Sequence, residues 1–205
     1  MVVVFRVSPG VPKGDLTDRF GSILVGLEER VAKSLFNFEQ VWKNTSKHKS
    51  RYSDGSHPVL YTACSEKVAI VEKGYWVEKL ILKPMKASVC LTDYCIYKLK
   101  VTGTFIKFSI SDDVRIVHPT DYAYCNSLGQ QAVRSGHAYL VVPSARVGSG
   151  FCVPVFCKDS SKVDEENVNT LTYTWNASTS KLSAYWNGTS VSVVSEDVYS
   201  TVSEM

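Results

Sequence analysis

The chain has 205 residues, of which 44% are hydrophobic and 21% are charged. These proportions are typical of a folded globular protein and exclude an intrinsically disordered chain. The formal net charge of +3 is too small to indicate direct nucleic-acid binding, and no stretch approaches the roughly 18 consecutive apolar residues of a membrane span. The apolar start, residues 1–6, is too short for a secretion signal, so we expect a cytoplasmic protein with a single domain over residues 1–205.

The six cysteines show no CxxC pair and no histidine spacing typical of zinc. Cys90 with Cys95, or Cys152 with Cys157, has a spacing that a metal half-site or a disulfide would also allow. Free cysteine, however, commonly behaves as a small buried hydrophobic residue. We therefore predict no metal site.

The first half of the chain predicts a strand, a long helix and then a strand–helix pair. Residues 2–7 are typical of a buried strand. Apolar residues then recur every three or four positions over about residues 15–43, which indicates an amphipathic helical insert. Residues 58–62 predict a short strand, and Ser65 is expected to cap a helix that carries Glu72.

The middle of the chain predicts several strands and one further helix. Residues 75–110 are rich in Val, Ile, Leu, Tyr and Thr with local alternation, which favours strands, and residues 102–104 are expected to form a turn between two of them. Thr120 is expected to cap a helix that ends at Gly136. A strand and a turn over residues 137–146 follow.

The C-terminal part predicts a β-meander over about residues 168–195. Asn187-Gly188 between two alternating segments is the strongest hairpin signal in the chain. The fold class that results is α+β. The three meander strands are expected at residues 171–175, 181–186 and 190–194.

Familiar enzyme motifs are absent, because the sequence has no Walker loop, GxGxxG, HExxH or GxSxG. Four residues of suitable chemistry remain: Arg51, Tyr61, Glu72 and Ser144. Taken singly, each has an ordinary structural interpretation as a surface cation, a core aromatic, a solvated helix residue and a turn former. Composition and spacing alone favour these interpretations.

Residues 51–72 resemble the first half of the RES-domain pattern. They contain Arg51 followed by the aromatic Tyr52, a loop with Gly and Pro, a Val-Leu-Tyr strand that ends at Tyr61, and a helix with Ala-x-x-Glu at Glu72. The Arg, Glu and Ser for which the family is named correspond to Arg51, Glu72 and Ser144.

Residues 121–146 resemble the second half of the same pattern. A helix with a Leu-Gly step at Gly129 leads to a strand and a Pro-Ser turn at Ser144. Residues 151–156 fit the strand that follows, and residues 4–7 fit the opening strand, in which an arginine lies between apolar residues.

The resemblance covers residues 1–7 and 51–160, and it rests on the order and spacing of motifs that are weak one by one. The chain departs from the family in two places. The insert at about residues 15–43 replaces a short Gly-rich stretch, and Tyr52-Ser53 stands where Trp-Asn is usual. These departures affect the entrance of the expected site more than its chemistry.

The resemblance implies a single RES-like domain with an ADP-ribosyltransferase-like mixed fold, in which central β-sheets are flanked by helices. It implies a toxin that depletes cellular NAD by breaking the nicotinamide–ribose bond through hydrolysis or phosphorolysis. NAD is then a substrate, and no cofactor or metal is required. A neutralising antitoxin protein is the implied partner.

The resemblance also implies roles for individual residues. A fixed carboxylate, Glu72, would stabilise the positive charge that develops on the ribose. The planar guanidinium of Arg51 suits a pyrophosphate or ribose, and Tyr61 could stack on the nicotinamide. Ser144 and its turn amides would hydrogen-bond the amide or ribose, and Tyr52 and Arg6 are further candidate NAD contacts.

Two alternatives remain open. The same pocket could transfer ADP-ribose to a protein. The second alternative is not an enzyme but a β-rich carbohydrate-binding module that uses aromatic side chains of the C-terminal strands. Tyr173 and Trp175 share one face of a strand and could stack on a sugar, and Tyr185 and Trp186 are further candidates. The insert could also supply a homodimer face.

Overall fold

The structure is a computed structural model that describes residues 1–9, 42, 45, 49–83 and 87–203. The helical insert expected over about residues 15–43 lies outside these residues, apart from Trp42. Among the described residues the strands are β1 (Val2–Pro9), β2 (Leu60–Ala63), β3 (Val89–Val101), β4 (Phe105–Lys107), β5 (Tyr139–Pro143), β6 (Phe151–Val155), β7 (Ser161–Asn176), β8 (Lys181–Trp186) and β9 (Thr189–Ser192).

Three α-helices accompany these strands in the described part of the chain: α1 (Glu66–Val77), α2 (Ala123–Arg134) and α3 (Val198–Ser203). A π-helical turn, Glu78–Leu82, continues α1, and short 3-10 turns lie at Val114–Val117 and Lys158–Ser160. None of the helices in the described ranges is long and apolar enough to cross a membrane.

The strands form one mixed sheet in the order β4-β5-β6-β2-β1-β3-β7-β8-β9. Neighbouring strands are antiparallel except β4 and β5, which are parallel. The predicted α+β class is confirmed, and so is the C-terminal β-meander, which consists of β7, β8 and β9. Because β1 pairs with both β2 and β3, it joins the two halves of the sheet.

Each face of the sheet supports a separate hydrophobic cluster. Along β3, Tyr94 and Ile96 belong to the larger cluster, whereas Tyr97 and Leu99 belong to the smaller one. This alternation follows from the two-residue period of a strand. The larger cluster contains the buried hydrophobic residues of α1 and α2, so both helices pack on the same face.

The prediction of strands throughout residues 75–110 is wrong at its start. Tyr75–Val77 is the last turn of α1, and the π-helical turn Glu78–Leu82 follows. Helix α1 is buried on most of its sides, so it lacks an apolar stripe at helical spacing. A short apolar run of that kind cannot be distinguished from a buried strand by periodicity.

The structure also differs from two local predictions, the turn at residues 102–104 and the Thr120 cap. Residues 102–104 link β3 to β4, but these strands lie far apart in the sheet, because β4 pairs with β5. Thr120 does not cap α2. The side chain of Asp121 accepts a hydrogen bond from the amide of Ala123 (2.9 Å), while the amide of Thr120 donates to Nδ1 of His118 (3.3 Å).

Several local predictions are confirmed. Ser65 caps α1 by accepting a hydrogen bond from the amide of Val68 (3.3 Å). Gly136 follows the end of α2 with φ of +71°, a conformation that glycine adopts without a Cβ clash. Asn187 and Gly188 have φ of +48° and +74°, as a type I′ hairpin between β8 and β9 requires.

The stacking platform of the binding-module alternative is not on the surface. Tyr173 and Trp175 do point to the same face of β7, but both are buried in the larger cluster, where the Tyr173 hydroxyl donates to the carbonyl of Ile70 (2.8 Å). Tyr185 is 53% exposed, but Trp186 is partly buried and donates to Glu66 (3.2 Å). The structure therefore removes half of the aromatic set on which that alternative rests.

Candidate active site

A cavity of about 720 Å³ lies where β1, β2 and α1 meet. Its described lining includes four cationic side chains and one carboxylate, together with several aromatic rings. An apolar cavity with a few placed polar groups is the usual form of a small-molecule site. The charged lining residues are Arg6, Lys49, Arg51, Glu72 and Lys73, and the aromatic ones are Phe5, Tyr61, Trp76 and Tyr122.

Local structure explains how Tyr61 and Glu72 come to the same cavity. Strand β2 carries Tyr61 and ends at Ala63, and α1 begins three residues later behind the Ser65 cap. So short a connection folds the helix back against the strand that precedes it, and α1 contacts both β1 and β2. The sequence order of strand, cap and helix therefore fixes this half of the site.

The carboxylate of Glu72 is buried, with 7% of the residue exposed. Its Oε1 atom accepts hydrogen bonds from the Ser144 hydroxyl (2.6 Å) and from the Cys152 thiol (3.4 Å). No described residue donates a hydrogen bond to the other oxygen, Oε2. One oxygen of Glu72 is thus held by two side chains behind it, while the residue lines the cavity.

Ser144 lies behind Glu72 and is only 1% exposed. Its hydroxyl oxygen accepts hydrogen bonds from the backbone amides of Arg146 and Val147, both at 3.1 Å, while its proton goes to Glu72. Direct contact of Ser144 and its turn amides with a substrate, as the sequence suggested, does not match this arrangement. Ser144 instead orients the carboxylate.

Arg51 is part of the cavity wall and is largely engaged by the protein. Its Nη1 atom donates to the carbonyl of His118 (2.8 Å) and to that of Ile116 (3.4 Å). Its guanidinium carbon lies 4.6 Å from the centre of the Tyr122 ring. These contacts hold a buried positive charge close to Glu72 without placing it in a direct ion pair.

Tyr61 presents its ring to the cavity, with Tyr52 behind it. The two rings are stacked, with centroids 6.1 Å apart and planes inclined by 21°. Burial raises the pKa of both hydroxyls well above the ordinary value, so both remain protonated at neutral pH. Tyr52 is fully buried and supports Tyr61, whereas the sequence suggested a direct substrate contact for it.

Arg6 connects β1 to the backbone of Tyr61. Its Nη1 atom donates to the backbone carbonyl of Tyr61 (2.7 Å). The structure therefore brings Arg6, Arg51, Tyr61 and Glu72 to the same cavity, as the sequence predicted.

The sequence analysis missed several cavity residues, among them Lys73, Trp76, Tyr122 and Asn126. Trp76 could have been found, because residues four apart lie on the same face of a helix and Glu72 precedes it by four. Lys73 follows Glu72 directly. Tyr122 and Asn126 belong to the start of α2, and only tertiary packing brings them to the cavity.

All six cysteines are free thiols. No group of His, Cys, Asp and Glu side chains with the geometry of a metal site occurs in the part of the chain that the structure describes. Cys152 instead contributes to the site as a donor to Glu72.

The family model described as RES domain matches residues 28–176. The match spans more than half of the chain and includes Arg51, Tyr61, Glu72 and Ser144. The chain therefore belongs to the RES domain family, and the resemblance found in the sequence is confirmed.

No protein in the curated collection matches the chain. Among solved structures, the chain is similar to one in the crystal structure of the M. tuberculosis MbcT-MbcA toxin-antitoxin complex, with 13% sequence identity and a TM-score of 0.47. The comparison covers 100% of this chain and 90% of that one.

Proposed function

We propose that this protein is an NAD-consuming toxin that cleaves the bond between nicotinamide and ribose. The observation that carries the proposal is Glu72, the one carboxylate in the described lining of the cavity, with Oε1 held by Ser144 and Cys152 and Oε2 without a protein donor. A single oriented carboxylate beside an aromatic ring suits a reaction in which positive charge develops on a sugar.

The chemistry follows from the position of that charge. As the C–N bond breaks, its electron pair leaves with nicotinamide, and the ribose carbon becomes cationic. Glu72 stabilises this cation, an electrostatic effect commonly worth about 10²–10³ in rate. The incoming acceptor, water or phosphate, bonds to the same carbon and releases its proton to solvent.

The other residues of the cavity position the dinucleotide. The Tyr61 ring offers a flat surface for the nicotinamide, and its backbone is tied to Arg6 on β1. Arg51 lies in the wall beside Tyr122 and adds positive charge for an anionic substrate. Membership in the RES family supports a neutralising antitoxin as partner and the cytoplasm as the place of action.

The experiment follows NAD in the presence of the purified protein by chromatography, with Glu72→Gln as the matched variant. We expect wild type to release nicotinamide and Glu72→Gln to release at least about 10²-fold less, with unchanged circular dichroism and melting temperature. Parallel reactions with and without inorganic phosphate identify the acceptor.

Two results contradict the proposal: NAD that stays intact under every condition, and a Glu72→Gln variant as active as wild type. Labelled ADP-ribose on a macromolecule, in place of free products, would instead assign the chain as a protein ADP-ribosyltransferase.

A further inference from the structure

Lys73 is a cation inside the cavity, and no carboxylate of the described residues forms an ion pair with it. It lines the cavity with Glu72, yet the ion pairs formed within the described residues are Lys83–Glu78 and Arg115–Asp113, and neither involves Lys73. Successive helix residues point about 100° apart, so the carboxylate of the adjacent Glu72 does not neutralise it. The ammonium instead lies 5.8 Å from the centre of the Tyr94 ring on β3.

The surroundings of Lys73 disfavour its positive charge. Burial and the nearby guanidinium of Arg6 lower the pKa of Lys73 to about 8. Two cations from different elements, α1 and β1, thus approach each other at one side of the cavity. A negatively charged group bound between them would remove the repulsion and replace the lost solvent.

Arg51 is less suited to that task. It is buried, and its Nη1 atom already donates to two backbone carbonyls. Arg51 lies beside Tyr122, on the side of the cavity near α2. Lys73 lies among residues of α1, β1 and β3.

We propose that Lys73, with Arg6 beside it, binds the diphosphate of the dinucleotide substrate. The identity of the whole ligand as NAD rests on the proposed function. Lys73 becomes a substrate-binding residue, and its position defines how the dinucleotide is oriented in the cavity. The diphosphate lies toward β1, and the nicotinamide ribose lies between Glu72 and Tyr61.

The proposal predicts a specific pH dependence. Below pH 8 Lys73 is charged and binds the diphosphate fully. Above that pH the ammonium of Lys73 in the free protein loses its proton, and it must take up a proton again when the diphosphate binds. The affinity for the diphosphate therefore falls as the pH rises. Among the groups that share the cavity, Tyr61 on β2 does not titrate near pH 8, because burial raises the pKa of its hydroxyl well above the ordinary value.

Three other charged groups share the cavity, and one ring faces the ammonium. Lys49 and Arg51 come from the segment before β2, Glu72 comes from α1, and Tyr94 presents its ring from β3. An arginine at position 73 would remain charged throughout this range. The Lys73→Arg variant should therefore bind the diphosphate without the loss above pH 8.

The experiment measures binding of ADP, ADP-ribose and adenosine by calorimetry. We expect Lys73→Met to weaken ADP and ADP-ribose binding by roughly tenfold or more, as loss of a charge-assisted hydrogen bond does, and to leave adenosine binding unchanged. Lys67→Met is the control, because Lys67 is an exposed lysine of the same helix. With NAD, Lys73→Met should raise KM and change kcat little.

The outcomes separate this inference from the proposed function. Unchanged ADP binding in Lys73→Met, an equal loss for adenosine, or no binding of ADP and ADP-ribose to wild type would each overturn the role of Lys73. If NAD is not consumed but ADP binding depends on Lys73 and on pH, the diphosphate site stands and the proposed reaction fails. If NAD is consumed and Lys73→Met has the KM of wild type, only the inference fails.

Discussion

At the scale of single residues, the orientation of Glu72 depends on side chains that do not line the cavity. Ser144 donates a strong, charge-assisted hydrogen bond to Oε1, and two turn amides fix the Ser144 oxygen in return. The Cys152 thiol is a weaker donor to the same oxygen. A carboxylate held in this way is pre-organised for a cation that forms during the reaction.

We expect Ser144→Ala to lower kcat by as much as about 10²-fold, because a small displacement of a catalytic group has effects of that size. It should also lower the free energy of unfolding by about 1–3 kcal/mol, since two buried amides lose their acceptor. Steady-state kinetics and urea unfolding measure the two effects.

Ser190→Ala is the control for Ser144→Ala, because Ser190 is exposed on the edge strand β9. The positioning role of Ser144 fails if Ser144→Ala loses stability while kcat stays at the wild-type value.

At the scale of elements, α2 holds the segment that carries Arg51 in place. Gly129 on α2 packs directly on the backbone carbonyl of Tyr52, and a Cβ at this position would overlap that carbonyl. The same carbonyl accepts a hydrogen bond from Nε2 of His57 (2.9 Å). The Leu-Gly step of the family pattern thus has a steric reason: only glycine allows the helix and the loop to approach so closely.

Gly129→Ala should displace the loop from the helix. We expect a loss of about 1–3 kcal/mol in unfolding free energy, as overpacking usually produces, and lower activity, because Arg51 and Tyr52 move together. Gln131→Ala, at an exposed position of the same helix, should change neither quantity by a comparable amount. Equal stability and activity in Gly129→Ala and wild type would show that the close contact between Gly129 and the Tyr52 carbonyl is not needed to hold the Arg51 segment in place.

At the scale of the whole molecule, β1 is the central link of the sheet. It lies between β2 and β3, so the half that carries Tyr61 and the half that carries the meander meet at this strand. Val4 of β1 is fully buried and belongs to the smaller cluster with Leu60 of β2 and Leu99 of β3. Three consecutive residues of the same strand, Phe5, Arg6 and Val7, line the cavity.

Val4→Asp should therefore destabilise the protein as a unit. A buried, unpaired carboxylate in the central strand should cost at least about 3 kcal/mol, whereas Val191→Asp on the edge strand β9 should cost less than about 1 kcal/mol. Urea unfolding followed by circular dichroism measures both. A single transition for wild type is expected of one domain over residues 1–205, and similar losses for the two variants would contradict a central role of β1.

The sequence alone was sufficient for several features that depend only on neighbouring residues. The Ser65 cap, the glycine after α2 and the Asn187-Gly188 hairpin are local, because each needs only its own dihedral angles and its own amides. The order of family motifs likewise placed Arg51, Tyr61 and Glu72 in one site.

Tertiary structure decided what depends on contacts between distant segments. Helix α1 is buried on most sides, so no apolar stripe shows that it continues through Tyr75–Val77. Packing between elements far apart in the chain determines the pairing of β4 with β5, the position of Ser144 behind Glu72 and the burial of Lys73 near Arg6. Burial, hydrogen-bond partners and the nearness of like charges are properties of that packing, and residue types and their spacing do not contain them.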